Sequence, residues 1–182
     1  MAENQSQRNQ MAASAQAKLH DVATLAERLR RRAHRAARAH FLAGKSAAQR
    51  NIQLGAPVVI LSSAVGSATF ATLATKPGLP WIIATGAVSF AAATLAALQT
   101  FFRFSEQAQE HKRSGAEYAA LKRDLDLFMI ICRDQNLVAR DLHEALTQMT
   151  SRFNELERSS PDVADHLYDQ AKQEQGEDRE GI

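Results

Sequence analysis

Hydrophobic and charged residues are sharply segregated along the chain of 182 residues. Between Asn51 and Phe102 the only charged side chain is Lys76, whereas the stretches before and after are highly charged. Two uncharged runs, residues 52–75 and 81–102, are each about 20 residues long, which is enough to cross a hydrocarbon core of ~30 Å. The pattern therefore predicts two transmembrane helices.

The two runs are joined by two prolines and a glycine within five residues, a composition typical of a tight turn. We expect a helical hairpin over residues 51–104, with helices at about 52–75 and 80–103 and a turn at 76–80. Trp81 would then lie in the interfacial belt at the start of the second helix. No helix-breaking residue follows Arg103, so this helix is expected to continue out of the bilayer.

The flanking stretches, residues 14–50 and 105–173, show apolar residues at alternating spacings of three and four, which is the pattern of amphipathic, coiled-coil helices. The first of these seams comprises Leu19, Val22, Ala26, Leu29, Ala33, Ala36 and His40. The second comprises Tyr118, Leu121, Leu125, Phe128 and Cys132. The third comprises Leu142, Leu146, Met149, Phe153 and Leu156.

The predicted fold class is all-α: a two-transmembrane hairpin with flanking cytoplasmic amphipathic helices. The alternative is a soluble bundle in which both uncharged helices are buried. A helix that is apolar on every side must be surrounded by apolar surface. Three narrow seams cannot cover two such helices, and this favours the membrane interpretation.

The ends of the chain are polar, and we expect residues 1–13 and the acidic tail 174–182 to be disordered. The first 18 residues lack the apolar core of a secretory signal, so the N-terminus is expected to stay in the cytoplasm. Positive charge flanks both ends of the hairpin, whereas its turn carries only Lys76. The positive-inside rule then predicts a multi-pass protein with both termini in the cytoplasm.

Eight Lys or Arg residues and no acid lie between Arg28 and Arg50. Nucleic-acid binding is not expected, because no aromatic residues are interleaved with the arginines at 28–38. Two interpretations stay open: a solvated helix face that sets topology, or contact with anionic lipid headgroups. The candidate lipid contacts are Arg35, Arg38, Lys45, Arg50 and Arg103.

Small residues cluster within both uncharged helices, where they permit close approach of helix backbones. They could pack the two helices of one hairpin together, or pack one subunit against another. Two helices enclose no pore, so any channel requires a homo-oligomer. The candidate packing or pore-lining residues are Ser62, Ser63, Gly66, Ser67, Thr69, Thr72, Gly86 and Ala91.

No motif indicates an enzyme, a metal site or a cofactor. Gly44-Lys45-Ser46 lacks the upstream glycine and the preceding strand of a phosphate-binding loop. His34 and His40 are six residues apart and face different ways on a helix, and His111 is expected at the membrane interface. Cys132 lies on a seam and is expected to pack rather than react.

Four strings between Leu54 and Asp126 resemble one known family. They are Gly55-Ala56-Pro57-Val58-Val59-Ile60-Leu61-Ser62-Ser63, Val65-Gly66-Ser67, Leu98-Gln99-Thr100-Phe101-Phe102-Arg103-Phe104-Ser105-Glu106 and Gly115-Ala116-Glu117-Tyr118-Ala119-Ala120-Leu121-Lys122-Arg123. The stretch is similar to the SLATT family, two-transmembrane effector domains associated with SMODS nucleotidyltransferases and SLOG proteins. Its family-motif residues here are Glu117, Tyr118 and Leu121, and none of them is catalytic.

The resemblance implies an effector of a bacterial anti-phage or conflict system, located in the inner membrane. Such an effector would oligomerise into a pore when a separately encoded partner, a nucleotide-signal or SLOG-type sensor, activates it. The alternative is a non-conducting membrane scaffold that recruits a partner through its cytoplasmic coiled-coil helices.

Overall fold

A computed structural model describes residues 2–72, 78–132 and 139–180 of the chain. Within these ranges the structure consists of α-helices and contains no strand, as the sequence predicts. The helices are α1 (Ala2–Thr72), α2 (Leu79–Phe102), α3 (Phe104–Ile131), α4 (Ala139–Ser159) and α5 (Asp165–Glu180).

The first helix is longer than the sequence suggested. A disordered segment at 1–13 and two separate helices at 14–50 and 52–75 were expected, but α1 is a single helix from Ala2 to Thr72. Residues 2–13 are rich in Ala, Gln, Glu, Arg and Met, which favour helix, and contain neither glycine nor proline. Pro57 lies inside α1, although proline removes one helical hydrogen-bond donor.

The last helix also extends beyond its predicted end. Disorder was expected from residue 174, but α5 continues to Glu180, and residues 181–182 lie outside the described part. Glu174 forms an ion pair with Arg38 of α1, and Nε2 of Gln175 lies 3.4 Å from Nδ1 of His34. These contacts hold the first part of the acidic tail against α1; beyond it, Glu177, Arg179 and Glu180 favour helix, whereas Gly176 does not.

The predicted turn at 76–80 is only partly described, because residues 73–77 lie outside the described ranges. Gly78 is the N-cap of α2 in an extended conformation, and Pro80 occupies the first turn. Proline fits this position because its missing N–H has no helical partner there.

The expectation that the second apolar helix continues without a break is wrong at one residue. Arg103, between α2 and α3, adopts a left-handed conformation with φ 49° and ψ 36°. Its N–H donates to the Gln99 carbonyl at 3.3 Å, and Nε2 of Gln107 donates to the Phe102 carbonyl at 3.0 Å. These bonds satisfy carbonyls that the helix end would otherwise leave free.

The chain divides into two compact units, which we call the bundle unit (Met1–Ala43 and Glu110–Ile182) and the apolar unit (Gly44–Gln109). With the exception of Ala37, the core of the bundle unit is built from positions of the three seams. Its buried members are Val22, Ala26, Leu29, Ala33, Ala36, Ala37, Tyr118, Leu121, Leu125, Phe128, Leu142, Leu146, Phe153 and Leu156. Alanines of α1 thus face the larger side chains of α3 and α4.

Leu121 is 0% exposed and lies at the centre of this core. Truncation of Leu121 to Ala is expected to lower the free energy of unfolding of the bundle unit by about 2–5 kcal/mol, because it removes buried apolar surface and leaves a cavity. Urea titration of the full chain in detergent micelles, followed by pulse proteolysis, measures this change. The matched control is Ile130→Ala on the same helix: Ile130 is 63% exposed, and the expected loss is about 0.5 kcal/mol or less. Equal losses for the two variants would contradict the core described here.

Candidate membrane-facing surface

The apolar unit leaves large hydrophobic side chains uncovered around its helices. In the most apolar 18-residue stretch of the first helix none of the residues is buried, and in that of the second only 6% are. The exposed side chains are Ile52, Val59, Ile60, Phe70, Leu79, Trp81, Ile82, Ile83, Phe90, Leu98, Phe101 and Phe102. Soluble proteins rarely expose a continuous apolar surface on this scale.

Two helices are long and apolar enough to cross a membrane. The 24 residues of α2 extend about 36 Å at 1.5 Å per residue, which exceeds a hydrocarbon core of ~30 Å. Aromatic residues mark both of its ends. Trp81 stands at the beginning, and at the end Phe102 contacts Phe101 edge-on and stacks on Phe104, each at 5.3 Å between ring centroids.

A polar contact joins α1 and α2 inside the apolar unit. Nε2 of Gln99 donates to Oδ1 of Asn51 at 3.2 Å. Gly55 lies beside it, and a Cβ at that position would come within 2.9 Å of Nε2 of Gln99. Gly55 therefore leaves room for the amide end of Gln99, a flexible side chain that a Cβ at this position would displace.

The predicted small-residue faces are mostly exposed. Ser62, Ser63, Ser67, Thr69, Gly86 and Ala91 are exposed and Gly66 is half-buried, whereas the side chain of Thr72 lies outside the described part. A Cβ added at Gly66 or at Gly86 would meet nothing within 4 Å. Within the described residues, packing therefore does not explain these two glycines, whereas the amide of Gln99 occupies the space beside Gly55.

Hydroxyl groups in both apolar helices donate to the backbone four residues earlier. The Ser63, Ser67 and Thr69 hydroxyls bond to the carbonyls of residues 59, 63 and 65 at 2.8–2.9 Å. Thr85, Ser89, Thr94 and Thr100 of α2 make the same bond, at 2.8–3.0 Å. A hydroxyl bonded in this way has its donor satisfied without water, so the helix surface stays compatible with a hydrocarbon environment.

The five candidate lipid contacts fall into two groups. Lys45, Arg50 and Arg103 belong to the apolar unit and are exposed, although Arg103 also pairs with Glu106. Arg35 and Arg38 belong to the bundle unit, where Arg38 pairs with Glu174. Arg38 therefore has an acidic partner within the chain.

Other arginines of the basic stretch are also paired within the bundle unit. Glu27 accepts hydrogen bonds from Arg30 at 2.7 Å and from Arg31 at 2.6 Å, and these bonds lower the pKa of Glu27 to about 2. Arg32 lies 3.5 Å from Glu157 and 4.6 Å above the ring of Phe153. Much of the positive charge thus has partners on helices α1, α4 and α5.

The family-motif residues separate into core and surface. Leu121 and Tyr118 are buried, and the ring of Tyr118 meets that of Phe153 at 5.6 Å. Glu117 is half-buried and accepts a hydrogen bond from Arg113 at 3.1 Å. In this structure the motif holds α3 in the bundle.

Sequence reasoning missed a pair of histidines beside Tyr118. Nδ1 of His40 lies 3.1 Å from Nδ1 of His111, and the ring of His40 stacks on that of Tyr118. Burial and the neighbouring His111 lower the pKa of His40 to about 4, and burial also lowers the pKa of His111. The sequence feature that could have revealed the position of His111 is its spacing. His111 precedes Tyr118 by seven residues, so it continues the α3 seam.

Within the described residues, no group of three or more His, Cys, Asp or Glu side chains could hold a metal ion. Burial raises the pKa of the Cys132 thiol, which disfavours the reactive thiolate. Comparison of the chain with protein-family models, with curated proteins and with solved structures finds no match.

Gly55 and Gly66 of α1 differ in what surrounds them, so their substitutions are expected to have different effects. Gly55→Leu is expected to disturb the contact between α1 and α2, because its Cβ meets Gln99, and to lower the thermal midpoint of the protein in micelles. Gly66→Leu is expected to leave that midpoint within about 2 °C of the unchanged protein, since its Cβ meets open space. Circular dichroism of both variants in the same detergent tests this. A larger loss for Gly66→Leu than for Gly55→Leu would contradict the packing described.

Proposed function

We propose that this protein is a membrane effector of a bacterial conflict system, which oligomerises and permeabilises the inner membrane when a separately encoded sensor activates it. The observation that carries the proposal is the apolar surface on both helices of the apolar unit. That surface needs lipid or other apolar helices around it. The resemblance of the stretch from Leu54 to Asp126 to SLATT effectors supplies the biological context.

Oligomerisation is supported by two glycines that have no neighbour among the described residues. Gly66 and Gly86 both have open space where a Cβ would lie. In membranes, helix association relies on close packing at such residues and on hydrogen bonds from Ser and Thr. We propose that Ser62, Ser63 and Ser67 lie near the subunit contact or line the conducting path.

The proposed topology is a hairpin with both termini in the cytoplasm and the turn at 76–80 outside. The exposed cations Lys45, Arg50 and Arg103 would lie at the cytoplasmic surface, next to anionic headgroups. Trp81 would then lie at the outer interface.

Labelling with a membrane-impermeant maleimide tests this topology in the Cys132→Ser background, which removes the only native thiol. A cysteine in place of Gly78 is expected to react in intact spheroplasts, because it would lie outside the membrane. A cysteine in place of Ser105 is expected to react only after the membrane is permeabilised. Both residues are exposed in the structure, so access to the reagent depends on the side of the membrane. The reverse pattern, or reaction of both in intact spheroplasts, would overturn the topology.

The second candidate is a non-conducting scaffold that recruits a partner to the membrane. It is favoured by the exposed apolar side chains Leu127, Ile130 and Ile131 near the end of α3 in the bundle unit. A partner protein could cover such a patch.

Membrane potential separates the two functions. Overexpression of a conducting effector is expected to collapse the potential reported by a voltage-sensitive dye, and the purified protein is expected to release a small dye from liposomes. Gly66→Leu is expected to reduce the release at least tenfold, because a bulky side chain blocks close helix approach. The matched control is Val59→Leu on the same helix, at an exposed position that already carries a branched side chain. Intact potential together with tight liposomes would exclude the pore and favour the scaffold.

A further inference from the structure

The His40–His111 pair lies where α1 and α3 face each other inside the bundle unit. The two Nδ1 atoms are 3.1 Å apart and the ring centroids 5.4 Å apart. With the Nδ1 atoms 3.1 Å apart, a centroid distance of 5.4 Å is the one expected when both Nδ1 atoms lie on the line between the two centroids. This is the geometry of a straight hydrogen bond. One Nδ1 must therefore carry a proton while the other accepts it.

The pair is enclosed at the closest approach of the two helices. His40 is 1% exposed and its ring stacks on Tyr118, with centroids 5.5 Å apart. A Cβ on Gly115 would lie 3.2 Å from the Ala37 carbonyl oxygen and 3.1 Å from the ring of Phe41. His111 is only half-buried, so a proton can reach the pair from its side.

No ion pair within the described residues compensates a charge on His40. Two effects act on the pKa of His40, namely its burial and the neighbouring His111, and both lower this pKa. On α3 the carboxylate of Glu110 acts on His111, and Tyr118 presents a neutral phenol to His40. Arg32 of α1, Glu157 of α4 and Tyr168 of α5 act on Tyr118 instead.

We propose that His40 and His111 form a proton-operated latch between α1 and α3, closed while the pair holds at most one extra proton and released when both rings are protonated. A neutral pair has one N–H···N bond. A first extra proton binds at a distal Nε2 and leaves that bond in place. A second extra proton requires a proton on each of the two facing Nδ1 atoms, which removes the hydrogen-bond acceptor. It also turns both rings into cations whose Nδ1 atoms are 3.1 Å apart, so the rings must separate.

The pH range follows from the direction of the pKa shifts. Both histidines have a lowered pKa in the closed bundle, so opening takes up protons. The stabilisation by the latch is complete above the ordinary histidine pKa of about 6.5 and is lost as the pH falls from there towards 4. Glu27 does not interfere, because its lowered pKa keeps it ionised throughout this range. The inference does not depend on the pore, since it concerns the bundle unit alone.

Hydrogen exchange of the full chain in detergent micelles with EDTA, followed by mass spectrometry, tests the latch. After correction for intrinsic exchange rates, protection of residues 33–43 and 111–121 is expected to fall at least tenfold between pH 7 and pH 5, since each proton taken up on opening contributes up to about tenfold per pH unit. His111→Gln removes one of the two titrating rings and is expected to give a clearly smaller change than the unaltered chain, the remainder coming from His40, which stays buried. His143→Gln, at an exposed histidine of α4, is the matched control and is expected to keep the full change.

Nitrogen NMR of ¹⁵N-histidine in the unaltered chain provides a second measurement that requires no variant. It is expected to show His40 neutral at pH 6 and to show the second ring of the pair becoming charged only as the bundle opens. An acid response of equal size in His111→Gln, or a His40 that titrates near pH 6.5 while protection persists, would overturn the latch. A response that appears only when EDTA is left out would also overturn it, because a bridging metal would then be the cause.

Discussion

The close approach of α1 and α3 is the constraint on which the bundle unit depends. It is possible because α1 presents alanines to α3, with Ala26 and Ala33 fully buried, and because α3 has Gly115 opposite Ala37. Small residues on one side leave room for Leu121, Leu125 and Tyr118 on the other. The same approach brings His40 within hydrogen-bonding distance of His111. A bulkier residue at Ala33 or Gly115 would separate these side chains together.

The apolar unit follows a different rule. Its described side chains are mostly exposed, and Gln99 of α2 is hydrogen-bonded to Asn51 of α1. Its polar groups are satisfied along each helix by backbone and hydroxyl hydrogen bonds, so the helices need neither water nor a protein core around them. The bundle unit encloses its apolar residues, whereas the apolar unit displays them, and this contrast is the basis of the proposed membrane function.

The sequence predicted the features that depend on periodicity. Both apolar helices follow from the uncharged runs, and the buried core residues of the bundle, with the exception of Ala37, lie at seam positions. Features that depend on contacts distant in sequence were not predictable. The ordered start of the acidic tail depends on the pairing of Glu174 with Arg38, and the break at Arg103 is completed by Gln107. The meeting of His40 with His111 required the register of α1 against α3, which spacing within either helix does not determine.

The backbone-bonded hydroxyls of the apolar helices have a consequence for how strongly such helices attract each other. When Ser63 or Ser67 turns towards a neighbouring chain, it exchanges a hydrogen bond to its own carbonyl for one across the interface. The number of hydrogen bonds is unchanged, so the net gain is small, unlike the gain when an unsatisfied group finds a partner. The proposed assembly through these faces would therefore be readily reversible and would depend on how many copies share the same area of membrane. Such a protein could remain dispersed at low abundance and gather once its local density rises.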